Sequence, residues 1–340
     1  MRFGGIIFKK WRSPEEWADA AREAGYSAVY FPVDYTAEDR VIDGYRDAAR
    51  AADLVICEIG VWNNVLHPQE EKREQAVDRA IHQLELAEHV GANCCVNIAG
   101  TYHPTLWDGP HRDNFTKRAF DDVVETTRRI IDAVKPVRTC YTLEPMPWML
   151  PSTPEQYLAL LKAVDHPGFA AHMDVVNIIN SPDLYYRNSE VIEDWFDKLA
   201  PYIRSCHAKD IILREQLTVH LDECRPGTGG LDYRTYLRCM TRLDDRVCLM
   251  LEHMTEEEVY VLATRYLKGL ATEMAICLYR AKPHEKRRLW TTLQTVKKVP
   301  GGVGGLASPL TLIVSGGFAA GAGFSRLRRE SSLQIRRPGA

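Results

Sequence analysis

The sequence predicts an α/β protein, a (β/α)8 TIM barrel with a C-terminal tail outside the barrel. Three observations predict it. Strand-like and helix-like segments alternate eight times over about the first 278 residues. That count and length suit eight parallel strands, each followed by a helix. Glu144, Asp174, His207 and Glu252 each close a short apolar run, and strand ends are where such a barrel displays its chemistry. Finally, no glycine-rich phosphate turn follows the first strand, as an open doubly wound sheet would usually carry.

The elements follow in order. RFGGIIF (2–8) is the first strand, and Ser13 then caps a helix with Pro14 at its first position and Gly25 as its stop. AVYFPV (28–33) leads to a helix around 38–52, and LVICEIGVW (54–62) to a long helix over 69–90 that stops at Gly91. CCVNIAG (94–100) leads to a helix around 113–134. The Glu144 strand precedes a Pro-led helix over 154–164, and the Asp174 strand one over 189–199. A long loop and a helix from Asp232 follow the His207 strand, and a helix over 256–276 follows the Glu252 strand. The gaps of 30, 33 and 45 residues between the four strand-end residues each leave room for a helix and its loops.

Beyond about residue 278 the pattern stops. Residues 279–340 are rich in Gly, Ser and basic residues and are expected to be disordered or loosely packed. The run from Leu306 to Phe324 is apolar, but Ser, Pro and several Gly interrupt it. It is therefore a poor membrane span.

The net charge of −3 hides an asymmetry. Of 43 basic and 46 acidic residues, 12 and 2 lie in 279–340, so the tail carries +10 and the remainder −13. An acidic body argues against nucleic acid as the partner. Nine cysteines sit mostly in strand-like apolar runs, without a CxxC pair. Free buried thiols in a reducing, cytoplasmic setting are expected. The N-terminal MRFGGIIFKK lacks a signal-peptide core.

Three carboxylates and one imidazole at a single barrel mouth suit a hard divalent ion, with Mn²⁺ expected and Mg²⁺ or Co²⁺ as alternatives. Open coordination positions could accept a carbonyl and its neighbouring hydroxyl on a sugar. Proton loss from the C–H between them gives a metal-stabilised enediolate. Glu144 and Glu252, on the fifth and eighth strands, could flank the substrate and transfer protons.

Longer motifs carry a resemblance. Glu-Pro after the fifth strand, His-x-Asp (His172, Asp174) on the sixth, Cys-His-Ala-Lys-Asp on the seventh, a PGTGGLDY loop and a final Leu-Glu-His together resemble the xylose isomerase-like TIM barrel superfamily. That group includes sugar phosphate isomerases and epimerases, ketose 3-epimerases, inosose dehydratases and endonuclease IV. The resemblance covers roughly residues 1–278. It implies that Glu144, Asp174, His207 and Glu252 are the metal ligands and that Glu144 and Glu252 double as the acid/base pair. Two positions depart from the ketose 3-epimerase pattern: Asn177 stands where a His is usual, and Leu150 where a second Glu is. The implied activity is a metal-dependent sugar or sugar-phosphate isomerase or epimerase. The alternatives are a keto-inositol dehydratase, an endonuclease IV-like repair enzyme with a three-zinc cluster, or a non-catalytic sugar-binding barrel.

Further residues complete the expected pocket. Arg225, before PGTGG, resembles the family arginine that binds a substrate oxygen, and Lys209 and Asp210 either orient the site or contact substrate. The PGTGG amides either approach a phosphate or form a tight loop. Asn177 and Asn180 offer amide contacts or cap a turn. Trp62, His67, Tyr102, His103 and Trp148 are candidate wall residues. Glu58 points either into the mouth or down the barrel, and His220 with Asp222 is a weak second-metal pair. The expected partner is a small sugar or polyol, with no nucleic acid and no membrane, and a homo-oligomer is allowed.

Overall fold

The short apolar runs become the strands. In this computed structural model, which describes residues 1–282, they are β1 (Arg2–Gly4), β2 (Ala28–Tyr30), β3 (Val55–Gly60), β4 (Cys94–Asn97), β5 (Tyr141–Leu143), β6 (Phe169–Asp174), β7 (Ile203–Ala208), β8 (Asp210–Leu213), β9 (Leu221–Cys224) and β10 (Cys248–Leu251). Eight of them close a barrel in the order β1-β10-β7-β6-β5-β4-β3-β2. Every pairing between barrel strands is parallel. The remaining two, β8 and β9, form an antiparallel hairpin after the seventh barrel strand. The sequence reading placed a plain loop there, because the polar segment between the two short strands masks their alternation.

Helices separate the strands: α1 (Pro14–Glu23), α2 (Asp39–Ala51), α3 (Glu70–Val90), α4 (Lys117–Val134), α5 (Pro154–Val164), α6 (Val175–Ile178), α7 (Pro182–Tyr186), α8 (Asn188–Leu199), α9 (Tyr233–Met240) and α10 (Glu257–Glu273). Several of their starts are chemically marked. Ser13 accepts a hydrogen bond from Glu16 N at 3.3 Å, Thr116 from Ala119 N at 3.2 Å and Thr153 from Gln156 N at 3.2 Å, each satisfying an orphan first-turn amide. The long α3 ends at Gly91, whose φ of 72° is left-handed and costs a glycine nothing. The short α6 and α7 were not anticipated, since neither is long enough to show a period.

The strands are shorter than the apolar runs suggested, with β1 ending at Gly4 rather than residue 8. Strands of a closed barrel tilt, so ladder bonds stop before the apolar run does. At Gly4 the packing is tight, since a Cβ there would lie 2.2 Å from Ala28 O.

The core is continuous between the barrel and its helices. Trp17, Leu84, Ile130, Tyr157, Phe196 and Leu249 are all buried within it. All nine cysteines are free, and Cys57, Cys94, Cys95, Cys206 and Cys248 are buried in strands while Cys140 is half-buried. Among the described residues no helix is long and apolar enough to cross a membrane. After α10 the chain follows the barrel base, where Tyr279 N donates to Met1 O at 3.1 Å and Lys282 N to Ala52 O at 2.9 Å. The rest of the basic segment, with the 306–324 run, lies outside the described residues.

Candidate metal centre

Strand register gathers the four strand-end residues. Asp174 on β6 pairs with His207 on β7, and His207 pairs in turn with Met250 on β10. Glu252 follows two residues later, and Glu144 directly follows β5, its N donating to Asn97 O at 2.7 Å. Buried tyrosines from the outer helices pin these strand ends. Tyr157 OH donates to Leu143 O at 2.5 Å and accepts from His172 N at 3.2 Å. From α9, Tyr236 OH donates to His207 O at 2.7 Å and Tyr233 OH to Lys209 O at 2.5 Å.

One donor atom each from Glu144, Asp174, His207 and Glu252 lies within 4.8 Å of the others. His207 Nδ1 is 2.8 Å from Glu252 Oε1, 3.5 Å from Asp174 Oδ2 and 3.6 Å from Glu144 Oε1. Closeness is not pairing here. Asp174 Oδ2, His207 Nδ1 and Glu252 Oε1 are buried without a well-aligned hydrogen bond, whereas buried polar atoms normally have one; the Lys209 ammonium is the cation that lies against the two oxygens, at 2.5 and 2.7 Å. They converge on a common point instead of aligning with one another. Three carboxylate oxygens and a ring nitrogen gathered in this way fit a divalent ion.

Neighbours fix each member. Asp174 Oδ1 caps α6 by accepting from Val176 N at 3.0 Å and Asn177 N at 3.3 Å, which turns Oδ2 inward. Asn177 Nδ2 donates to Glu144 Oε1 at 2.7 Å. Glu58, from β3, meets His207 Nε2 through Oε2 at 3.1 Å, so once the ring is neutral, as a metal ligand must be, its proton stays on Nε2 and the Nδ1 lone pair faces the centre. His172 packs edge-on to His207 with ring centroids 4.1 Å apart, and its Nδ1 meets Ser205 Oγ at 2.6 Å. Glu58, His172 and His207 thus form a second buried group directly beneath the first.

Electrostatics separate the two glutamates. Burial raises the Glu144 carboxyl to about 7, against the pull of Lys209. Burial acts the same way on Glu252, but His207 and Lys209 outweigh it and hold that carboxyl well below its usual range. Asp174 is likewise buried, and Lys209 and His207 keep it ionised. Burial disfavours the His207 cation, yet Glu252 and Glu58 together hold its pKa well above 6.5. Glu58 and Asp174 favour the His172 cation too, but burial and the neighbouring His207 outweigh them and lower it to about 4, which leaves it neutral.

The profile of the xylose isomerase-like TIM barrel matches residues 18–270. The chain belongs to this family. No curated protein matches the sequence, but solved structures do. One is a xylose isomerase-like TIM barrel protein from Mycobacterium smegmatis in complex with magnesium, at 19% identity over 80% of this chain and 95% of that one, with a TM-score of 0.58. Another is D-psicose 3-epimerase with D-tagatose from Clostridium cellulolyticum, at 12% identity over 82% and 100%, TM-score 0.58. Endonuclease IV from Thermus thermophilus matches at 15% identity over 80% and 100%, TM-score 0.62. At such identities these neighbours show the shared fold and leave the chemistry open.

Within this family barrel the remaining expected residues fall into groups. Lys209 is inside the centre, with Nζ 2.5 Å from Asp174 Oδ2 and 2.7 Å from Glu252 Oε1. Arg225 lines a recess of about 240 Å³ beside it, together with Glu223, Glu252 and His253, and its Nη1 donates to Pro226 O at 2.8 Å. The Trp62 ring stands 6.4 Å from that of His207. Trp148 is half-buried, and its indole N–H is buried without a partner.

Others are engaged in local structure. His103 Nδ1 accepts from Leu106 N at 3.0 Å and His67 Nδ1 from Gln69 N at 3.0 Å, while Tyr102 OH donates to Asp122 at 2.5 Å. Asp210 decides between the two readings of PGTGG. Its carboxylate accepts from Gly227 N, Gly229 N, Leu231 N and Ile211 N at 2.8–3.0 Å. Thr228 N goes to Arg225 O and Gly230 N to Ile211 O. The loop is tight, and its amides are already committed, so they do not form a phosphate cradle. The His220–Asp222 pair also fails as an ion site, since Asp222 pairs with Arg214 at 3.0 Å and neither joins a ligand group among the described residues.

The sequence leaves the direction of Glu58 open, and it does not single out the pinning tyrosines. Glu58 is one acid in an apolar strand, a weak signal whose direction depends on barrel tilt. The tyrosines lie on helices, where an aromatic reads as ordinary core.

Proposed function

We propose that the chain is a divalent-metal-dependent isomerase or epimerase of a small sugar or polyol, acting by proton abstraction beside a carbonyl. One observation carries this reading. Two glutamates from β5 and β10, three strands apart around the barrel, reach one buried centre where they and Asp174 and His207 each offer a donor atom within 4.8 Å of the others.

Glu144, Asp174, His207 and Glu252 would hold the ion, with Mn²⁺ as the first choice for an oxygen-rich set with one imidazole. When bound, a divalent ion supplies Lewis-acid stabilisation of the negative charge that develops on substrate oxygens. The chain's own side chains do the proton transfer. Ionised Glu252 takes the proton from the substrate carbon, and the C–H electron pair becomes the C=C bond of an enediolate. Glu252 can return that proton to the adjacent carbon, while Glu144, ionised once it ligates the ion, takes a proton from solvent, as its raised carboxyl allows, and delivers it to the same carbon from the other side, Glu252 then releasing its own to solvent. Asn177 holds Glu144 in place, a positioning role in place of the expected substrate contact. Trp62 and Trp148 offer apolar faces to a sugar, and Arg225 reaches substrate from the recess.

The committed PGTGG amides favour an unphosphorylated ketose or polyol. The acidic body and the glutamates around the recess disfavour nucleic acid, and nine free thiols suit the cytoplasm. The test is solvent deuterium incorporation, followed by NMR, into ketoses, ketose phosphates and inososes with added Mn²⁺. Exchange at the carbon next to the carbonyl is expected, and Glu252→Gln should abolish it while circular dichroism stays native. Unchanged exchange in that variant would sink the acid/base assignment. Three bound zinc ions in the pure protein would point to the nuclease class instead.

A further inference from the structure

The proposed proton transfers leave one buried charge unused. The Lys209 side chain is 1% exposed, and its Nζ lies among the oxygens that an ion would use: 2.5 Å from Asp174 Oδ2, 2.7 Å from Glu252 Oε1 and 3.7 Å from Glu144 Oε1. Tyr233 fixes its backbone carbonyl. On the outer side the ammonium meets Glu223 Oε1 at 3.3 Å and His253 Nδ1 at 3.4 Å. It is therefore confined between the centre and Glu223, which is half-exposed.

Charge counting gives this placement a meaning. Counting only the four ligands in the deprotonated form an ion requires, with Glu58 set apart as the partner of His207 Nε2, three carboxylates and a neutral imidazole carry −3, and the ammonium brings the set to −2. A divalent ion then brings it to zero. Without the lysine the loaded centre would keep −1, and buried uncompensated charge is costly. We propose that Lys209 is a resident cation of the centre. It competes with a divalent ion for Asp174 Oδ2 and Glu252 Oε1, lowers the affinity for that ion, and makes the loaded centre neutral. Glu223 receives the ammonium as the ion enters. This inference rests on the metal reading above.

The consequence is opposite to that of a structural lysine. A lysine that merely braces the pocket would, on removal, loosen the ligands and weaken ion binding. A competing cation, on removal, strengthens it. Unit charges about 4 Å apart in a buried site interact strongly enough to change affinity on the order of tenfold or more.

The experiment is isothermal titration calorimetry of Mn²⁺, without substrate, into the chelator-stripped full chain. Wild type is compared with Lys209→Met, Lys209→Gln and Lys209→Arg. The Met and Gln variants should bind at least about tenfold more tightly, and the Arg variant, which keeps the charge, no more tightly than wild type. The metal-free Met and Gln variants should melt earlier than wild type, with Mn²⁺ restoring more of the loss. Glu223 is half-exposed, so Glu223→Gln should fold normally. By removing the ammonium's outer acceptor it should weaken Mn²⁺ binding about threefold or more. Equal or weaker binding in folded Met and Gln variants overturns the proposal, as does unchanged binding in Glu223→Gln should those two fail to fold. If neither wild type nor any variant binds Mn²⁺, the metal reading itself falls.

Discussion

Glu58→Gln isolates the support beneath the centre. The Glu58 carboxylate meets His207 Nε2 at 3.1 Å and is buried, and His207 Nδ1 faces the ligand set on the opposite side of the ring. With the width of the ring and a metal–nitrogen bond of about 2.1 Å, the carboxylate stands about 7 Å from an ion held on Nδ1. At an effective dielectric of about 20, one negative charge and a divalent ion at that separation interact by about 5 kcal/mol. That is the upper limit of the loss. Glutamine keeps the volume and a neutral oxygen acceptor, so part of the orientation survives. Replacing such outer-shell partners typically costs about 10–100-fold in metal affinity, or about 1.4–2.7 kcal/mol. Calorimetric titration of Mn²⁺ into metal-free wild type and variant, with circular dichroism as the folding control, measures it. An affinity within about threefold of wild type in a native-like variant would refute the idea that Glu58 orients His207 for a metal.

Two further outcomes follow from the same geometry. In the metal-free protein Glu144 titrates at about 7 and His207 stays protonated well above 6.5, and both must lose their protons to act as ligands. Ion binding therefore releases protons and strengthens as pH rises through neutrality, which calorimetry in buffers of different ionisation enthalpy will count. Asp210→Ala removes four hydrogen bonds from one buried carboxylate. Charge-assisted bonds of this kind contribute about 1.5–3 kcal/mol each and do not add fully, so a loss of about 3–5 kcal/mol by urea denaturation is expected, with the PGTGG loop becoming sensitive to protease.

Much of this centre was legible in the sequence because it depends on local signals. A strand shows as an apolar run and a helix as a period with a cap, and Ser13, Thr153 and Gly91 act in the structure as such signals should. A polar residue at the end of an apolar run marks the barrel mouth wherever eight such units alternate. Glu144, Asp174, His207 and Glu252 could therefore be named from one dimension, and the structure brings their donor atoms within 4.8 Å.

Which atom meets which is set by the three-dimensional fold. Glu58 and His207 are 149 residues apart, Asn177 and Glu144 are 33 apart, and Lys209 and His253 are 44 apart. Their meetings depend on register between strands and on the tilt that turns a side chain up into the mouth or down into the barrel, and no local pattern encodes either. The sequence by itself determined the barrel and the identity of its strand-end acids and imidazole. Folding then used Asn177 to hold Glu144, used Asp210 to tie the PGTGG amides, and left the Lys209 ammonium among the carboxylates, because most buried polar groups must find a partner in three dimensions.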